Sequence, residues 1–77
     1  MSYDLMILGI AVADGLLAQR KLDGDTSIIA PDDPAHLQAI VSQGKRAEGI
    51  LRRSGEKAMG FLKQAYERDE VEYVEPE

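Results

Sequence analysis

His36 is the one histidine in the chain, and it follows Asp32 and Asp33 closely enough that their carboxylates could support an imidazolium or a general acid/base. No serine or cysteine is tied to it by spacing, so an exposed helical histidine is expected rather than half of a catalytic pair. Asp23-Gly24-Asp25-Thr26-Ser27 begins like a calcium loop. The pattern fails at its sixth position, where Ile28 replaces glycine, and at its twelfth, where Pro34 replaces the bidentate glutamate, which leaves a solvated turn. Gly44 lacks the preceding strand and the GK[ST] sequence of a phosphate-cradling loop. With no cysteine and a single histidine, no metal or cofactor is expected, and neither is enzymatic activity.

Lys45, Arg46, Arg52, Arg53, Lys57 and Lys63 make a different grouping, a basic face that could bind phosphates with a steep salt dependence. Two glutamates interrupt that face, no aromatic side chain is interleaved for base stacking, and the chain carries a net charge of −5. A protein partner is therefore the expectation for these bases, and a nucleic-acid-binding regulator is the alternative. Adsorption to a membrane would need Trp or Phe beside the bases, and none is expected to play that part.

The bases lie on an element that the sequence marks clearly. Asp33 as N-cap and Pro34 at the first helical position open a helix expected to run to about residue 67. Within it, SQGKRAEGILR (residues 42–52) is followed by RSGEKAMGFLK (residues 53–63), which places Gly44/Gly55, Ala47/Ala58, Gly49/Gly60, Ile50/Phe61 and Leu51/Leu62 in register. Eleven residues close on three helical turns at about 3.67 residues per turn, so the repeat lays equivalent residues in stripes along a helix. Interior glycines cost roughly 0.8 to 1 kcal/mol each against alanine. For Gly44 and Gly55, beside Ala47 and Ala58, the offsetting gain is close approach of a second helix. Gly49 and Gly60 point away from this face and mark either a second docking surface or a bend.

The first element runs from Ser2 to about Leu22, with Ser2 as a cap, Asp4 in the first turn, and Arg20 and Lys21 where cations favour the C-terminal end. Leu5, Met6, Leu8, Ile10, Val12, Ala13, Leu16 and Leu17 form an apolar arc too wide for one neighbouring helix to cover. A buried strand over residues 5–13 is the competing reading, because a continuous apolar run has no diagnostic period. Between the elements, Asp23-Gly24, Pro31, Asp32 and Asp33 mark a connector. It could pair as a hairpin, or Ile28 and Ile29 could cover the open end of the helix pair. The last residues, 69–77, read as an acidic tail in which Val71, Glu72 and Tyr73 alternate, either frayed or added as a strand to a partner.

Seventy-seven residues form one small domain near the margin of independent stability, and with no disulfide or metal the expected supplement is oligomerisation. Charge is segregated. Residues 1–34 hold six acids against two bases, residues 35–66 two against six, and residues 67–77 six against one. A basic middle between acidic ends suits pairing within a dimer or an anionic partner. The apolar run of residues 5–13 is too short to span a bilayer and no base precedes it, so a cytoplasmic location is expected.

Together these features predict an all-α fold: a helical hairpin domain over residues 1–68, its helices 2–22 and 34–67 antiparallel, assembled as a homodimer or small helical oligomer, and followed by the tail. The oligomer interface is assigned to Leu8, Val12, Leu16, Gly44, Ala47, Leu51, Gly55, Ala58 and Leu62. Contact with a protein partner is assigned to Arg46, Arg52, Arg53, Lys57 and Tyr73. The function expected is that of a non-enzymatic adaptor, inhibitor or regulator, a role for which small acidic cysteine-free chains are common among phage-encoded modulators of host proteins. A structural assembly subunit is a third possibility.

Overall fold

The computed structural model describes residues 4–30 and 32–71. Three helices hold most of them: α1 (Leu5–Leu22), α2 (Pro34–Arg52) and α3 (Glu56–Arg68). The run of residues 5–13 is helical, not a strand. Its cap is Asp4, whose Oδ1 accepts from the Met6 N–H at 3.0 Å, two residues later than the cap expected at Ser2, which lies outside the described residues.

Arg20 and Lys21 sit in the last turn of α1 as expected, and both reach beyond the helix. Arg20 pairs with Asp25 at 2.8 Å and donates to the Asp69 carbonyl at 2.9 Å. Lys21 donates to the Ala30 carbonyl at 3.0 Å and pairs with Asp32 at 2.9 Å, so the basic end of α1 ties down the connector. The expected calcium-like stretch is a turn: Asp25 accepts from the Ser27 N–H and hydroxyl, which with Arg20 holds its carboxyl below the ordinary aspartate value. The connector does not use Ile29 to close the hairpin. That side chain is fully exposed, while Ile28 is half-buried.

Asp33 and Pro34 open α2 as the sequence predicts, with Asp33 accepting from the Ala35 N–H at 3.0 Å. The single helix expected over residues 34–67 is instead two helices meeting at an elbow of Arg53, Ser54 and Gly55. Arg53 N–H and Ser54 N–H turn back to Ile50 and Leu51 carbonyls, and the Ser54 hydroxyl donates to the Ile50 carbonyl at 2.6 Å. Gly55 then takes φ 94° and ψ −176°, a region open essentially to glycine alone. The physical reason for the break is burial. A straight helix of that length would extend about 50 Å at 1.5 Å per residue, and its far half would have no neighbour in a chain whose longest dimension is 34 Å.

The elbow brings α3 back onto α1. Phe61 lies against Gly9 and the Asp69 carbonyl beside Arg20, so α3 runs in the same sense as α1, whereas α2 is antiparallel to it. α1 is thus the central element, packed closely on α2 and also on α3. The tightest crossing is between Gly15 and Gly44, where a Cβ built on either glycine would stand 3.0 Å from the other's Cα. Gly44 therefore serves the close approach expected of it, and its neighbour is α1 of the same chain. Gly55 does not; it is exposed in the elbow.

The core is aliphatic and rich in alanine, as the low aromatic content implies: Val12, Ala13, Ala47, Leu51, Ala58, Leu62 and Ala65, with Leu8, Leu16, Phe61 and Tyr66 packed against it. Both copies of the repeat turn the same stripe inward. Most positions assigned to the oligomer interface lie in this intramolecular core. Val12, Ala47, Leu51, Ala58 and Leu62 are buried within one chain, Gly44 is buried against Gly15, and Leu8 and Leu16 are half-buried against the same core. The small-residue seam is intramolecular: Gly44 on α2 meets α1 directly, and the elbow folds Ala58 and Leu62 of α3 back into the same core.

Candidate protein-binding surface

With α2 on one flank of α1 and α3 on another, the wide apolar arc is only partly covered. Met6, Ile7 and Ile10 remain 56%, 61% and 42% exposed. The 100° step between residues puts them with Asp14 and Leu17 on a single outward face. A shallow groove of about 190 Å³ runs along the α3 side of this face, lined by Met6, Gly9, Ile10, Phe61, Gln64, Ala65 and Arg68. A second, of about 290 Å³, runs along the α2 side past Ala11, Asp14, Leu17, Ala18, Ile29, Ala30, Ile40 and Gln43. Met6, Ile7 and Ile10, three of the four large hydrophobic side chains exposed among the described residues, thus stand together on a ridge between two open grooves.

The bases assigned to partner contact separate into two groups. Arg46, Arg53 and Lys57 are exposed and form no ion pair among the described residues. Arg53 folds back over α2, its guanidinium within 3.4 Å of the position a Cβ on Gly49 would occupy. Arg52, in contrast, is committed internally. It donates through Nε and Nη2 to Glu48 at 3.0 and 2.6 Å, and Glu48 accepts also from the Tyr66 hydroxyl at 2.8 Å, tying α2 to α3. Tyr73 lies outside the described residues. His36 is exposed in the first turn of α2.

One polar group inside the fold was not singled out from the sequence. Asp69 caps the C-terminal end of α3, its side chain only 4% exposed, and Oδ2 has no hydrogen-bond partner among the described residues. Burial pushes its carboxyl above the ordinary aspartate value; Arg20 and Arg68 oppose the rise and Asp14 adds to it. A carboxylate at a helix C-terminus also meets the negative end of the macrodipole. Because the folded value is raised, this carboxyl favours folding only below the ordinary aspartate range, and the benefit is lost as pH rises through the raised value. Asp69→Asn is accordingly expected to raise stability at pH 7 by up to about 1 kcal/mol, with the gain vanishing toward pH 3. Urea titrations of both proteins at the two pH values check it, and a loss at pH 7 would mean that attraction to the arginines outweighs burial.

Among the described residues no group of side chains is placed to hold a metal ion, and no helix is long and apolar enough to cross a membrane. No protein-family model, curated protein or solved structure matches the chain.

Proposed function

We propose that this chain is a non-enzymatic adaptor, inhibitor or regulator that works in the cytoplasm by binding another protein. The observation that carries this reading is the outward face of α1. A small chain has completed its core and still leaves Met6, Ile7 and Ile10 in water, although burying such side chains is worth about 1.5–3 kcal/mol each. A partner helix laid along that ridge would gain this burial in the mode of helix-in-groove recognition. Arg46, Arg53 and Lys57 add a cationic surface around the elbow, suited to an acidic rim on the partner.

Capture experiments with the immobilised chain test the proposal. Wild type is expected to retain a discrete set of proteins, and Ile10→Asp, which places a charge on the ridge, to lose them by about tenfold or more in affinity while its circular dichroism is unchanged. Retention that is indifferent to Ile10→Asp would remove the ridge from the binding surface.

The unpaired Arg46, Arg53 and Lys57 favour one second reading, a nucleic-acid-binding regulator that sets these cations on phosphates. Electrophoretic mobility shift at two salt concentrations separates the two. A complex weakened steeply by salt supports it, and the absence of any shift at low salt ends it.

A further inference from the structure

The elbow joins two helices whose buried stripes are in phase. Ala47 and Leu51 before it and Ala58 and Leu62 after it are eleven residues apart pairwise, so a helix running straight through residues 53–55 would keep all four on one face. The bend is also sparsely secured. α3 begins with no side-chain cap on its first N–H groups, and among the described residues a single backbone hydrogen bond links the elbow to α3 besides those within the helix, Met59 N–H to the Gly55 carbonyl at 3.1 Å. Straightening would give the first N–H groups of α3 the carbonyls of residues 52–54 as partners. What holds the bend is the packing of Ala58, Leu62 and Ala65 in the shared core, together with the Tyr66 hydroxyl on Glu48 and Arg20 on the Asp69 carbonyl.

That packing surface exists identically on any other copy of the chain. We infer that the elbow is a hinge, and that residues 34–68 also form one straight helix whose α3 portion docks on α1 of a second copy while that copy's α3 docks in return, an exchanged homodimer. Every contact of α3 with α1 is kept, and the helix gains continuity. The exchange loses the freedom of two separate molecules and the local Tyr66 to Glu48 contact, unless that pair re-forms between copies. The occupant is fixed by complementarity: the site vacated by α3, along Gly9 and Ala13 of α1, fits Phe61, Leu62 and Ala65 because it is the site they already fill. This dimer is independent of the outward ridge, and hence of the protein-binding reading above.

Gly55 sets the balance. Its backbone conformation in the bend excludes L side chains, and a glycine in a straight helix is the least favourable residue short of proline. Gly55→Ala acts on both counts in both chains, and is expected to tighten the dimer on the order of a thousandfold or more. Light scattering on separated species, from low micromolar to millimolar protein, reads the result. The expected outcome is a largely monomeric wild type and a dimeric Gly55→Ala with undiminished helix content. Gly55→D-Ala, made by chemical synthesis, fits the bend and opposes the straight helix, and is expected to be monomeric throughout. Adding Ile10→Asp to Gly55→Ala should leave the dimer intact; its loss would assign the association to the ridge and overturn the exchange. A Gly55→Ala protein that is folded and monomeric at millimolar concentration, or simply unfolded while Gly55→D-Ala is folded and also dimerises, would overturn it as well.

Discussion

Gly44→Leu is expected to unfold this protein or to lower its stability by about 3 kcal/mol or more, the largest effect of any single change outside the aliphatic core. A Cβ on Gly44 would meet the Ala11 carbonyl oxygen at 3.0 Å and the Gly15 Cα at 3.0 Å. Both are backbone atoms of α1, and neither can swing aside as a side chain would. Even Gly44→Ala, which gains about 1 kcal/mol in helix propensity, is expected to lose more than that through separation of the helices. Gly15→Ala meets the Gly44 Cα at 3.0 Å and the Ile40 carbonyl at 3.4 Å, and should behave alike. The two substitutions should not add. Once the first has pushed α1 and α2 apart, the second enters space already opened, so a double-mutant cycle measured by urea unfolding should show the pair costing less than the two separately. Additive losses would indicate that the two glycines act at separate contacts.

The way these glycines divide shows how far the sequence could be read. Its eleven-residue repeat makes Gly44 and Gly55 look equivalent, and for the alanines and leucines the equivalence holds: Ala47 and Ala58, Leu51 and Leu62 all end in one core. The caps at Asp33 and the basic end of α1 were legible for the same reason, since they depend on interactions within a turn or two. The elbow was less so. Arg52 and Arg53 followed by Ser54-Gly55 is itself a helix-stop pattern, with cations in the last turn and a glycine just beyond. Periodicity that continued in phase on both sides concealed it. Whether such a segment bends or runs straight depends on where its stripe finds a partner, which is a tertiary matter.

The candidate surface was legible to a similar degree. An apolar arc on α1 wider than one helix can cover follows from residue spacing alone, and two helices indeed pack on it. Which part stays outside is fixed by the angle between α2 and α3, and no local rule supplies that angle. Asp69 was not legible at all. A lone aspartate in an acidic stretch gives no sign that the end of α3 will fold it under Arg20.

Gly55→Ala and Gly60→Ala should differ in sign, and for reasons unrelated to side-chain packing. A Cβ meets nothing within 4 Å at either position, so sterics against neighbours predict no cost for either. Gly60 lies in the interior of α3 in open space, and replacement by alanine there is expected to stabilise by up to about 1 kcal/mol. At Gly55 the backbone stands at φ 94°, ψ −176°, and an L-alanine held there costs on the order of 1–3 kcal/mol. At dilutions where light scattering finds Gly55→Ala monomeric, so that no second copy relieves the bend, that cost appears in full as lost stability. Gly55→D-Ala reverses it. For a D residue the same angles mirror an ordinary extended conformation, so the variant should equal or exceed wild type by the roughly 0.4–1 kcal/mol that a restricted unfolded chain confers. Thermal unfolding of the three variants at such a dilution decides between backbone and packing. If Gly55→Ala melts with Gly60→Ala above wild type, the positive φ at residue 55 is not what shapes the elbow, and α2 and α3 must be held at their angle by the core packing of Ala58 and Leu62 and by Tyr66 on Glu48.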